Sequence, residues 1–225
     1  MTLSFTFKVK DAWVIVSDKK AISYAEMEEG GKNNFFSDNM EKIKEINNHL
    51  FFVGAGNQEI LDKAIEIINN FSNFEEFQNN LEIVISQFSD FNSIINFEEF
   101  LIIDQINQKA IKCKLKNLLL RKTDWLKEVN TSSDKNFIGC YEGCNNLGNI
   151  KTEFSSMREI KFNEMGNKLY DFCNRCLSLL SVDYLGEIGH PAIHGSDIWV
   201  ISKEKAKKIL TLPKNVYEYE VIKDD

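Results

Sequence analysis

The hydrophobic period of this chain changes at Gly56, and the change limits the folds open to it. Before Gly56 the apolar residues are spaced as in strands. Residues 3–9 alternate, Lys10-Asp11 makes a tight turn, and 12–17 (Ala-Trp-Val-Ile-Val-Ser) is a more apolar strand, so the chain opens with a hairpin. Residues 40–46 and 49–55 read as two more strands, separated by Asn47-Asn48. The stretch between, 19–37, is mixed, with Glu28-Glu29-Gly30-Gly31-Lys32 as the tip of an exposed loop. After Gly56, residues Ile60, Leu61, Ala64, Ile65, Ile67 and Ile68 recur at helical spacing, with Asn57 placed as N-cap. A second helix is predicted over 74–88, then strands at 97–104 and 108–115. Residues 122–137 show no clear period, and Phe137–Cys140 reads as a strand end. A long amphipathic helical region covers 153–181, broken near Asn163–Gly166, before strands at Ser196–Ser202 and Val216–Ile222.

That order is strands, two helices, strands, two helices, strands. It suits an α+β fold of two antiparallel sheets packed face to face with helices outside. No internal repeat or linker divides the 225 residues, so a single domain over 1–225 is expected. With 43% hydrophobic residues and two prolines, the chain can bury a core. The net charge of −7 argues against general binding to nucleic acid or to anionic membrane, which needs clustered Lys and Arg. No apolar run has the length of a membrane span, and the N-terminus has neither the basic start nor the apolar core of a signal peptide, so a cytoplasmic protein is expected. The five cysteines then read as free thiols.

Four positions carry chemistry together. Thr2 follows the initiator Met1, Asp18 ends an apolar strand, Lys42 opens another, and Gly54-Ala55-Gly56 stands between strand and helix. A threonine hydroxyl is a weak nucleophile and needs a base. An N-terminal threonine carries one in its own α-amine, with an ordinary pKa of about 7.7–8.0. This requires removal of Met1, since an amide at that nitrogen is no base. A lysine ammonium nearby favours deprotonation of both groups and steadies developing negative charge. Lys42 is placed for this, and Asp18 is its natural counter-ion. The backbone N–H of Gly56, at a strand-to-helix turn, suits an oxyanion.

In this order the residues resemble the active-site half of proteasome β-subunits and HslV-like peptidases, the N-terminal threonine (Ntn) hydrolases. The resemblance covers residues 2–57 with good register. Thr2, Asp18, Lys42 and Gly56 match the family's nucleophile, aspartate, lysine and oxyanion glycine. An insertion of roughly eight residues, centred on Glu28–Lys32, separates Asp18 from Lys42; surface insertions of this kind cost little. The resemblance implies a four-layer αββα sandwich, cleavage of peptide bonds through an acyl-enzyme on Thr2, and a ring-forming homo-oligomer. It implies a peptide or polypeptide substrate, room for an ATPase regulator as a further partner, and no cofactor or metal. Gly54 falls where the family floors its primary substrate pocket. Asp183 is the candidate for the second aspartate that orients the amine. The second half departs from the pattern: Gly139-Cys140 replaces the usual Gly-Ser-Gly, and Gly186 stands where a serine is expected. Two alternatives follow, a ring-building subunit without activity and a small-molecule amidase of the same class.

Other motifs are weaker. Gly54-x-Gly56 lacks the third glycine of a dinucleotide loop, and Glu59 in its place would repel a pyrophosphate. Cys173-x-x-Cys176, with Cys140 and Cys144, raises zinc, but two cysteines three apart in a helix more simply pack as small apolar residues. His190 and His194 flank Pro191, which argues for a loop.

Overall fold

The computed structural model describes residues 4–19, 21–22, 35–37, 40–91, 95, 98–130, 136–138, 147–165, 167–169, 171–173, 175–176, 196–212 and 220–221. The opening hairpin is β1 (Ser4–Lys8) and β2 (Ala12–Asp18), closed by Val9 N–H donating to Ala12 O at 2.9 Å. A short pair, β3 (Ala21–Ile22) and β4 (Phe35–Ser37), follows within the mixed stretch. Then come β5 (Ile43–Ile46) and β6 (Leu50–Ala55). Asn47 and Asn48 both adopt positive φ (54° and 59°), as a tight hairpin turn matched to strand twist requires and as Asn tolerates. Helix α1 (Gln58–Asn69) starts at Asn57, whose side chain accepts from the Glu59 N–H.

The single helix expected over 74–88 is two, α2 (Phe74–Asn79) and α3 (Leu81–Gln87). Asn80 leaves the helical region (φ −111°, ψ 32°), and its side-chain amide donates to the Glu76 carbonyl. Such local side-chain bonding is how Asn competes with helix. Strands β7 (Glu99–Asp104) and β8 (Lys109–Lys114) lie where expected, followed by a short α4 (Leu115–Leu119), β9 (Leu126–Glu128) and β10 (Phe137–Ile138). Helix α5 (Leu147–Met157) begins earlier than 153. The break before α6 (Phe162–Met165) falls at 158–161, ahead of the Asn163–Gly166 expected. The described residues between 167 and 176 are helical. Strand β11 (Ser196–Ser202) coincides with its prediction. Strand β12 (Ala206–Leu212) was not anticipated, and β13 (Glu220–Val221) lies inside the predicted 216–222.

Two antiparallel sheets result. One has six strands in the order β10-β1-β2-β11-β12-β13; the other has five, β5-β6-β7-β8-β9. Strand alternation sends residues to opposite faces, and three apolar clusters follow from it. Phe5, Phe7, Val14, Val16, Ile198 and Val200 face Ile150, Phe154, Phe172 and Cys173 of the C-terminal helices. Trp13, Ile15 and Ile201 face Ile43, Phe51, Val53, Leu101 and Ile103 between the sheets. Leu50, Phe52, Phe100 and Ile102 face Ile60, Ala64, Ile67 and Val84 of the N-terminal helices. Three interlayer cores define four layers, αββα.

One end of the intersheet layer is tied by polar contacts. Trp13 Nε1 donates to the Gln108 carbonyl at 2.9 Å, and Lys8 Nζ donates to the same oxygen at 3.1 Å while lying 5.1 Å above the Trp13 ring. The other end of β2, at Asp18, is the candidate site.

The outer core of the six-stranded sheet is aromatic. Phe154 is fully buried and its ring lies 5.2 Å from Phe7, 5.5 Å from Phe137 and 5.6 Å from Phe172. Phe154→Ala is therefore expected to cost about 3–5 kcal/mol in denaturant unfolding. Phe154→Leu, which keeps most of the volume, should cost less than half as much.

Candidate active site

Asp18 is the last residue of β2 and Lys42 immediately precedes β5, so one belongs to each sheet. Lys42 Nζ donates to Asp18 Oδ2 at 2.8 Å, with side chains 5% and 0% exposed. Burial holds the lysine below its ordinary value, and the Asp18 carboxylate opposes that shift. The backbone supports the approach: Met40 N–H donates to the Lys19 carbonyl at 2.9 Å, laying the chain before Lys42 along the residue after Asp18.

Three buried serines lie around the aspartate. Ser4 opposes Ser17 in the β1–β2 register, their hydroxyls 2.6 Å apart, and Ser17 Oγ donates to the Asp18 carbonyl at 3.2 Å. On the other side Ser196 of β11 directly opposes Asp18.

Gly56 has φ +134°, a conformation closed to ordinary side chains. A Cβ there would also stand 2.6 Å from Glu98 Cγ and 3.1 Å from Glu98 Cα. Glu98, buried just before β7, reaches the start of α1 through Oε1, 3.4 Å from the Asn57 N–H. Gly54 is buried in β6, and a Cβ there would stand 2.6 Å from a Leu61 methyl of α1. Thr2 and Asp183 lie outside the described residues, as do the Glu28–Lys32 loop, Gly139, Cys140, Cys144, Gly186, His190 and His194.

Sequence reasoning missed a second charged group beside the first. Asp197, 2% exposed, is the second residue of β11 and opposes Ser17. Its Oδ2 lies 3.1 Å from Lys208 Nζ of β12, and its Oδ1 lies 3.9 Å from Lys19 Nζ. Lys208 also donates to Glu41 at 3.2 Å; burial, the largest single effect, lowers its pKa, and the Asp197 and Glu41 carboxylates together outweigh it and raise the value. The available signal was an aspartate inside the apolar run Ser-Asp-Ile-Trp-Val-Ile, since a buried carboxylate needs a partner. Cys173 and Cys176 are buried in the outer core, and burial pushes both thiols up. Among the described residues no group of three or more His, Cys, Asp or Glu is placed to hold a metal. No described helix is long and apolar enough to cross a membrane.

No protein-family model matches the chain, and no curated protein matches it. Solved structures do. The Gly-1 mutant of Anbu from Hyphomicrobium sp. strain MC1 superposes with a TM-score of 0.59 at 13% identity, over 93% of this chain and 87% of that one. The fold is proteasome-like. At this identity the likeness concerns the αββα sandwich alone, and it does not single out the HslV-like branch.

The buried pair makes a sharp energetic prediction. Asp18→Asn leaves a lysine without its counter-ion in the interior and should cost about 3–5 kcal/mol, whereas Asp18→Asn combined with Lys42→Met should recover most of that loss. Urea unfolding of the two single variants and the double variant checks this. Lys42 binds its proton less tightly folded than unfolded. Its contribution to stability therefore rises with pH through the interval below the ordinary lysine value, and Lys42→Met should flatten that rise.

Proposed function

We propose that this protein is an N-terminal threonine hydrolase that cleaves peptide bonds through an acyl-enzyme on Thr2 after removal of Met1. The observation that carries the reading is the Asp18–Lys42 pair, an ammonium held in the interior by a carboxylate at a strand end. Chain continuity supports the assignment of Thr2. Ser4, two residues on, is registered against Ser17, beside Asp18. The proteasome-like fold supports the same class.

In the proposed reaction Thr2 Oγ attacks the peptide carbonyl carbon, and its proton passes to the Thr2 α-amine. Lys42 stays protonated and stabilises the alkoxide as it forms. The Gly56 N–H receives the tetrahedral oxyanion. The amine then protonates the leaving nitrogen, the C–N bond breaks, and an ester on Thr2 remains. Water, deprotonated by the same amine, hydrolyses that ester. Asp183 orients the amine in this scheme, and the chemistry asks for neither metal nor cofactor. Gly54 takes the primary-pocket position in this scheme, and its backbone packs closely against the Leu61 side chain of α1. A ring of identical subunits in the cytoplasm, served by an ATPase regulator, is the assembly this reading favours.

The deciding experiment is the intact mass of the purified protein before and after a peptide epoxyketone, which reacts with the hydroxyl and free amine of an N-terminal threonine together. The expected result is loss of Met1 and gain of one adduct, abolished in Thr2→Ala. Retained Met1 without an adduct would support a ring-building subunit without activity. Met1 lost without an adduct, combined with failure to cut peptides, would support a small-molecule amidase. Gly56→Ala should lower turnover by on the order of a hundredfold, since it disturbs both the positive φ and the donor N–H.

A further inference from the structure

The chain neighbours of both members of the Asp18–Lys42 pair meet a second buried carboxylate. Lys19 follows Asp18 and lies 3.9 Å from Asp197. Glu41 precedes Lys42 and accepts from Lys208, which in turn lies 3.1 Å from Asp197. The four charges alternate in sign: Lys19, Asp197, Lys208, Glu41. Glu41 and Lys42, adjacent and of opposite charge, each reach across from the β5 side to the six-stranded sheet, one to Lys208 and the other to Asp18. A single turn of backbone is thus held to the facing sheet at two points.

We propose that Asp197 is a positioning residue for Lys42, acting through Lys208 and Glu41 on the segment 40–42 and through Lys19 on the residue after Asp18. Three observations carry this. The Asp197 carboxylate is 2% exposed on a strand whose neighbouring inward residues, Trp199 and Ile201, are apolar, so its place there needs a compensating interaction. Its partners are cations drawn from two other segments, the end of β2 and β12. Removing its charge would take from Lys19 the carboxylate 3.9 Å away and leave Lys208 to Glu41 alone, on the segment that carries Lys42, an ammonium that burial already disfavours. Among the described residues the charged groups of this network are Asp18 and Lys19 beside β2, Glu41 on the Lys42 segment, Asp197 on β11 and Lys208 on β12, and of these Asp18 acts on Lys42 directly. Asp197 sets where the Lys42 ammonium sits and how firmly it stays charged.

This rests on the proposed hydrolase for its consequence in turnover but not for its first measurement. In the full chain labelled with [ε-13C]lysine, the Lys42 resonance is assigned by its loss in Lys42→Met and confirmed by its shift in Asp18→Asn. Titration then compares wild type with Asp197→Asn and Asp197→Glu. The expected result is a Lys42 midpoint moved to lower pH in Asp197→Asn, with faster amide exchange at Met40–Lys42, and partial return of both in Asp197→Glu. An unchanged midpoint and unchanged exchange in a folded Asp197→Asn would overturn the proposal. If Asp197→Asn fails to fold, Lys208→Met, which removes the bridge from a position 23% exposed, must move the amide exchange of 40–42, and no change there would overturn it equally. Where peptide turnover is present, Asp197→Asn should lower kcat on the order of tenfold with KM unchanged. A shifted Lys42 titration in a protein without turnover would keep the positioning role while rejecting the hydrolase.

Discussion

An ammonium and a carboxylate sit in dry protein where the two sheets meet, and the rest of the fold has to make that arrangement tolerable. Desolvating either ion alone costs several kcal/mol, and their mutual attraction offsets this only at good geometry. The Lys42–Asp18 distance of 2.8 Å supplies the geometry; the pair cannot supply the stability. That comes from the three apolar layers, each filled by one face of a strand set, which fix both sheets rigidly enough for two charges on different sheets to meet. The pair is a demand placed on the fold, and the aromatic cluster of Phe5, Phe7, Phe154 and Phe172 and the intersheet packing of Trp13 and Phe51 meet it.

The two ends of the intersheet layer are treated differently. At the Trp13 end neutral and singly charged donors converge on one backbone oxygen, that of Gln108, so the contact involves no compensating ion. At the Asp18 end ion pairs join the sheets, and the register brings buried Ser4, Ser17 and Ser196 around the same aspartate. A polar, serine-rich strand end opposite an apolar one is a costly way to finish a sheet. That asymmetry favours the Asp18 end as the place for the proposed chemistry.

What the sequence made legible was local. Strand alternation over 4–8 and 12–18, the Asn47-Asn48 turn, the Asn57 cap and the period change after Gly56 each depend on residues within a turn or two of one another. The break at Asn80 was hidden because Asn79-Asn80 sits inside an apolar period that continues unbroken across it, and only the side-chain bond to Glu76 shows the competition. Strand β12 was missed because Lys207 and Lys208 interrupt its alternation. Lys208 is there for partners elsewhere, one of them 167 residues away. Asp18 and Lys42 were found through a family pattern; Asp197, with no such pattern behind it, was not. Glu98 went unseen for a similar reason: its tie to Gly56 is a backbone approach across β6 and β7, which no spacing encodes.

The strand order also sets a timetable. The five-stranded sheet and the helices α1–α4 come from one contiguous stretch, 43–128, closed by short hairpins and two helical excursions. The six-stranded sheet instead pairs β2 with β11, joining Asp18 to Ser196 across most of the chain. Closing so long a loop is slow and is rewarded only once the late strands exist. During synthesis the N-terminal hairpin must therefore wait, with the outer side of β2 unpaired, until residues 196–202 emerge. The carboxylate that holds Lys42 is thus boxed in by a strand made about 180 residues after it, so a chain of this topology completes its charged centre only after 196–208 have been added.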